Sequence, residues 1–155
     1  MSALRPVAAG EILVPGQPLL VVIEAPESVR TRSLDLLAAL PGLAERDRAD
    51  VAPNRSAGSY IATDAFTSAI VVDALLRVAA SEGPAMAGFV ASGQRPGFAL
   101  LTANVGEIIA RVAEEALNAA IDLPFRIFRK ALGPIVPIVI GGLVLVGVGL
   151  YLGRK

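Results

Sequence analysis

The sequence contains no cysteine, no histidine and no tryptophan. Without cysteine and histidine, the chain cannot form disulfides, zinc or haem sites built on these residues, or the catalytic triads that depend on them. Lysine occurs only at positions 130 and 155, and the common phosphate-binding, dinucleotide-binding and hydrolase motifs are absent. Two candidate carboxylates, Glu114 and Glu115, are adjacent and would point about 100° apart on a helix. We expect a protein that is not an enzyme and uses no cofactor and no metal.

Acidic residues are missing from the end of the chain. Residues 1–123 hold all fourteen acidic residues and nine arginines, a formal charge of −5, whereas residues 124–155 hold five basic residues and no acid. The formal net charge of zero is therefore the sum of two unlike parts. The acidic part lacks the basic stripe and the aromatic residues that nucleic-acid binding uses. We expect no nucleic acid and no small-molecule substrate among its partners.

A long apolar run lies near the end of the sequence. Residues 131–153 carry no charge, and 135–152 consist only of Ile, Val, Leu, Gly, Tyr and one Pro. As an α-helix this run would cover about 27 Å, close to the thickness of a bilayer interior. We therefore predict a transmembrane helix over 135–152, with a buried helix inside a larger protein as the alternative. The residues expected at the membrane interface are Phe125, Arg126, Phe128, Arg129, Lys130, Tyr151, Arg154 and Lys155.

Glycines within and beside this run allow close approach of helices in lipid. They favour packing against copies of the same chain or against a partner helix. The alternative is that glycine is simply frequent in transmembrane helices. The candidate helix-packing positions are Gly133, Gly141, Gly142, Gly149 and Gly153.

An amphipathic helix is predicted directly before the apolar run, over 104–123. Asn104 and Glu107 have the spacing of a capping box, and apolar residues then recur at helical spacing opposite a mainly acidic face. Pro124 is expected to end or kink this helix. Residues 124–134 form a basic and aromatic segment that suits a lipid headgroup layer, with an ordinary linker as the alternative. The acidic face of the helix favours packing on protein rather than on anionic lipid.

Residues 1–103 are predicted to form a small soluble domain. Two apolar runs flank Pro15-Gly16, a pair that fits a type II turn and suggests a β-hairpin. The mixed-charge stretch 45–50 is interpreted as a solvated face or a short helical turn. The expected fold class is mostly α with a short N-terminal β-hairpin, a small α+β domain, followed by one C-terminal transmembrane helix. The predicted elements of the domain are the hairpin over about 11–24, helices over about 28–40 and 64–81, and a loop over 82–101.

These features predict a tail-anchored, single-pass membrane protein that acts as a structural or assembly subunit of a larger membrane-associated complex. Its expected partners are the lipid bilayer and other protein subunits, with copies of itself among the candidates. The basic residues flanking the run favour an N-terminal domain in the cytoplasm, or inside a membrane-containing particle. The alternative function is a membrane-active protein that oligomerises, such as a holin-like protein or a phage virion membrane or delivery protein.

Overall fold

The computed structural model describes residues 4–105 and 125–132. Seven strands and four helices lie within these ranges. In chain order they are β1 (Arg5–Pro6), β2 (Ile12–Leu13), β3 (Pro18–Glu24), α1 (Glu27–Ala38), β4 (Leu43–Ala52), β5 (Arg55–Ala62), β6 (Phe66–Thr67), α2 (Ser68–Ser81), α3 (Gly83–Ala91), β7 (Gly97–Thr102) and α4 (Arg129–Leu132).

The centre of the fold is a five-stranded antiparallel sheet with the order β1-β7-β3-β5-β4. The chain passes from β3 through α1 to β4, and from β5 through α2 and α3 to β7. In the sheet, β5 lies between β3 and β4, and β3 lies between β5 and β7. Each connection therefore passes over one strand that belongs to the other connection. This is the split β-α-β arrangement, with the short β1 added beside β7. A second, two-stranded sheet pairs β2 with β6.

The main hydrophobic core lies between the sheet and the helices. Leu19, Val21 and Ile23 of β3 point into it and pack with buried residues of α1 and α2. Leu20 and Val22 of the same strand point to the opposite face, where they join a second buried cluster. Because both faces of β3 are buried, its sequence is a continuous apolar run and shows no alternation of apolar and polar residues.

The predicted fold class is wrong. The domain is an α+β structure with a five-stranded antiparallel sheet at its centre, not a mostly helical one with a hairpin. A type II-like turn does occur at Pro15-Gly16, where the Gln17 N–H donates to the Val14 carbonyl at 3.0 Å and Gly16 has φ of 85°. The runs that flank the turn do not pair with each other: β2 pairs with β6, and β3 pairs with β5 and β7. Long-range strand pairing replaces the local hairpin.

Other elements also differ from the sequence-based prediction. The stretch 45–50 lies in strand β4, and the expected loop over 82–101 contains helix α3 and most of strand β7. The second long helix begins at Ser68, because Phe66 and Thr67 are used by β6. Thr67 caps this helix by accepting a hydrogen bond from the Ala69 N–H at 3.4 Å.

Within residues 4–105 and 125–132, no helix is long and apolar enough to cross a membrane. The longest, α2, has 14 residues and spans about 21 Å, and it carries Asp73 and Arg77. For the part of the chain that the structure describes, the prediction of a transmembrane, single-pass and tail-anchored protein is therefore wrong. The predicted membrane location depended on that span and is wrong for the same reason. The predicted span 135–152 lies outside the described residues, as does 106–123 of the predicted amphipathic helix.

Candidate functional site

Segment 125–132, predicted to lie at a membrane interface, is packed onto the domain. The Phe128 ring is fully buried, with its centroid 5.1 Å from that of Phe98. Phe125 lies against Gly97, and the Arg55 guanidinium carbon is 4.9 Å from the centre of its ring. The backbone of Arg126 exchanges two hydrogen bonds with Phe98, at 3.0 and 2.9 Å. The segment therefore extends the core and the sheet.

The basic residues of this segment are exposed. Arg129 and Lys130 belong to α4, which packs against α2, and Arg126 donates from Nη2 to the Val7 carbonyl at 3.3 Å. Arg126 and Lys130 border one end of a groove of about 320 Å³ along α2. The remaining predicted interface and helix-packing residues lie outside the described residues: Gly133, Gly141, Gly142, Gly149, Tyr151, Gly153, Arg154 and Lys155.

A larger groove, of about 400 Å³, lies on the other side of α2, between this helix and the C-terminal half of α1. Two large apolar side chains beside it are exposed to solvent, Leu36 to 37% and Ile70 to 44%. We call this region the α1–α2 surface. It is formed by Leu36, Leu40, Ala69, Ile70, Asp73, Ala74 and Arg77.

Opposite charges lie beside these apolar side chains on α2. Arg77 Nη2 is 2.6 Å from Asp73 Oδ2, and both side chains are largely exposed. Their i,i+4 spacing on one helix brings the two side chains together. Ile70, Asp73 and Arg77 occupy one helical face, while Val71 and Leu75 face the core. The α1–α2 surface thus combines exposed apolar area with one acid and one base.

Strand β4 pairs with β5 on one side and is an edge of the sheet on the other. Arg48 of this strand donates from Nε to Glu45 at 2.6 Å and from Nη1 to Asp35 of α1 at 2.7 Å. The hydrogen bond from Arg48 holds the pKa of Glu45 below its usual range, and those to Glu45 and Asp35 raise the pKa of Arg48. These contacts tie the edge strand to α1.

A buried arginine makes a second connection between α1 and the sheet. Arg30 Nη1 donates to Ser56 Oγ at 2.9 Å and approaches Asp50 Oδ1 at 3.4 Å, while Ser56 Oγ donates to Asp50 at 2.5 Å. Nearby, Tyr60 donates from Oη to the Leu34 carbonyl at 3.3 Å, and burial raises the pKa of its hydroxyl. The Ser56 hydroxyl is thus held between an acid and a base, and only 4% of this residue is exposed.

This polar cluster connects α1 to strands β4 and β5. The cleft beside it has a volume of about 240 Å³, below the usual 300–1,000 Å³ of small-molecule sites. Ser56 donates to a carboxylate that is itself exposed to solvent, and this geometry fixes Arg30 in place. Among residues 4–105 and 125–132, no three carboxylates come together in a way that could hold a metal ion. The α1–α2 surface is therefore the stronger candidate for function.

Sequence reasoning missed the exposure of this surface. The sequence analysis predicts a helix over about 64–81 but does not distinguish Ile70 from its buried apolar residues, and the structure leaves this residue 44% exposed. The available signal was the i, i+3, i+7 spacing of Ile70, Asp73 and Arg77, which puts the apolar side chain on the charged face. Comparison of the chain with family models, curated proteins and solved structures found no match.

Proposed function

We propose that this chain is a non-enzymatic structural or assembly subunit that acts through protein–protein contact at its α1–α2 surface. The observation that carries the proposal is the exposed apolar pair Leu36 and Ile70 beside a 400 Å³ groove. Exposed apolar side chains with charged residues around them are a feature of many protein interaction surfaces.

The residue inventory supports the same role. The chain has neither histidine nor cysteine, which removes the most common general base and the most reactive nucleophile. The polar cluster around Arg30, Asp50 and Ser56 is engaged in holding α1 on the sheet. Binding at the α1–α2 surface needs no reactive group, only shape and apolar area.

The test is the substitution Ile70→Arg in the full-length chain, with Val14→Arg as its matched control. The two side chains are nearly equally exposed, at 44% and 46%, and both are aliphatic and β-branched. An arginine at position 70 would place an unpaired charge in the contact, so we expect at least about a tenfold loss of assembly. Val14→Arg should leave assembly unchanged.

Assembly is measured as the mass and stoichiometry of the complex that the tagged chain forms in its native source. Circular dichroism establishes that both variants are folded. A defined complex that survives Ile70→Arg at its wild-type yield would show that the α1–α2 surface is not the contact. Equal losses in both variants would also contradict the proposal, because the effect would then not be specific to this surface.

A further inference from the structure

We infer that the partner at the α1–α2 surface is a second copy of this chain, with the two α2 helices packed antiparallel across a two-fold axis. The inference rests on the proposed function, because it assigns the occupant of the same surface. It is carried by the positions of Asp73 and Arg77, which lie one helical turn apart on the exposed face of α2.

We place the two-fold axis of the dimer between positions 73 and 77 of α2. In an antiparallel helix pair, residue 73 of one copy lies opposite residue 77 of the other, so each Asp73 meets an Arg77 and each Arg77 meets an Asp73. The two intrahelical ion pairs then join into a ring of four alternating charges. An isologous contact requires such self-complementarity, because the same patch serves both copies. A partner with an unrelated surface would have to supply a matching acid and base independently.

The side chains near the axis also suit close packing. Ala80, which is small and exposed, lies on the same helical face as Asp73 and Arg77, and a small residue there allows helix axes to approach to about 8–10 Å. Ile70 lies one turn beyond Asp73 and would reach the opposite helix near Ala80, which is exposed. Leu36 extends the apolar area from α1. The exposed apolar residues thus surround the charge ring.

The other outer surfaces fit a two-fold contact less well. The smaller groove along α2, which adjoins the α1–α2 surface at Asp73, is bordered by Arg126 and Lys130 against this one acid, so a symmetric contact there would bring cations together. Strand β4 has register shifts between Glu45 and Asp47 and between Asp50 and Ala52, which interrupt the regular ladder needed for edge pairing. Of these three surfaces, the α1–α2 surface is the one whose charges are self-complementary.

The experiment uses two charge reversals in the full-length chain, Asp73→Arg and Arg77→Asp. Each variant alone would place like charges opposite one another at both ends of the contact, so we expect dimerisation to weaken by at least about tenfold. An equimolar mixture should dimerise again, because a chain with acids at both positions then meets one with bases at both. The control pair is Asp64→Arg and Arg95→Asp, which reverses two exposed charges elsewhere on the domain.

Sedimentation equilibrium and native mass spectrometry, with one variant carrying a mass tag, measure the dimer and its composition. We expect a concentration-dependent wild-type dimer, weak dimers of each single variant, and a mixed dimer as the main species of the mixture. The control variants should dimerise like the wild type, both alone and mixed. A monomeric wild type at the highest attainable concentration would overturn the inference, as would a mixture that remains monomeric.

These outcomes separate the inference from the proposed function. If the purified chain does not pair with itself but Ile70→Arg still abolishes a defined complex with another protein, the surface is an interface with a different occupant. The inference then fails and the proposed function stands. If neither self-association nor a complex depends on Ile70, both fail.

Discussion

The α1–α2 surface and the β4 edge are two outer parts of one domain with opposite chemistry. The first exposes Leu36 and Ile70 beside a single ion pair, whereas the second carries Glu45, Asp47 and Arg48 along a strand with two register shifts. An edge strand offers unpaired N–H and C=O groups to any other strand, and charges and bulges oppose such pairing. A helix has satisfied its own backbone groups, so apolar side chains on it select partners by shape.

The difference shows where this protein can expose apolar area and where it cannot. On α2, contact requires a complementary surface, so exposed isoleucine and leucine residues can be specific. On β4, contact would require only another extended segment, and the charged side chains keep that edge in water. The three predictions that follow test each side of the comparison, starting with the largest expected effect.

The largest expected effect is a loss of stability in the core that supports the helices. Phe128 packs on Phe98 in the core and precedes α4, which lies against α2. Phe128→Ala should lower the free energy of unfolding by about 3–5 kcal/mol, because it removes a buried ring and leaves a cavity. Urea denaturation measures the loss. The neighbouring Ile127→Ala, at a residue 59% exposed, should change stability by less than about 0.5 kcal/mol. Similar effects of both substitutions would show that segment 125–132 is not anchored by Phe128.

The second prediction concerns the connection between α1 and the β4 edge. Arg30→Ala should destabilise the domain by about 1–3 kcal/mol, because Ser56 loses the hydrogen bond, and Asp50 the contact, that the buried guanidinium supplies. Arg32→Ala on the same helix is the control. Arg32 pairs with Glu82 at the surface and is largely exposed, so its loss should cost less than about 1 kcal/mol.

The same denaturation series measures both arginine variants. Hydrogen exchange of β4 amides should also rise selectively in Arg30→Ala, because the strand loses a tie to α1. If Arg32→Ala proves as costly as Arg30→Ala, the buried cluster is not what holds the edge strand.

The smallest expected effect is a pH dependence at the β4 edge. The hydrogen bond from Arg48 lowers the pKa of Glu45, so this carboxylate adds stability that is fully present above its unfolded pKa near 4.5. That contribution is lost as the pH falls through the lower, folded value. Glu45→Gln should cost less than about 1 kcal/mol at pH 7, because the pair is partly solvated.

The difference between Glu45→Gln and the wild type should shrink as denaturation is repeated from pH 7 to pH 3. In an Arg48→Met background, Glu45→Gln should have much less effect at any pH, since the hydrogen-bond donor is gone. A difference that stays constant with pH would show that the Glu45 carboxylate is not stabilised by Arg48.

Local features of the fold could be predicted from the sequence because neighbouring residues determine them. The turn at Pro15-Gly16 follows from the fixed φ of proline and the positive φ open to glycine. The Asp73–Arg77 pair follows from helical spacing alone. Helices over about 28–40 and 64–81 are predicted, and the structure has α1 and α2 there.

The sheet could not be predicted in this way. The β3 run has no period-2 signal because both its faces are buried, and β4 is rich in charge because it is an edge. The partners of β3, which are β5 and β7, are distant from it in sequence, so no local pattern shows which strands pair with β3. The candidate site was missed for a related reason: exposure of Ile70 depends on where the sheet lies under α2.

The sequence by itself determined the chemistry available to this protein: no histidine or cysteine, a turn at Pro15-Gly16, and an acid and a base one turn apart on α2. The tertiary structure decided which of these residues meet solvent. It buried Phe128 beside Phe98, and it left Ile70 exposed next to Asp73 and Arg77. Burial is a property of long-range packing, and packing of a sheet depends on strand pairs that no stretch of sequence contains on its own.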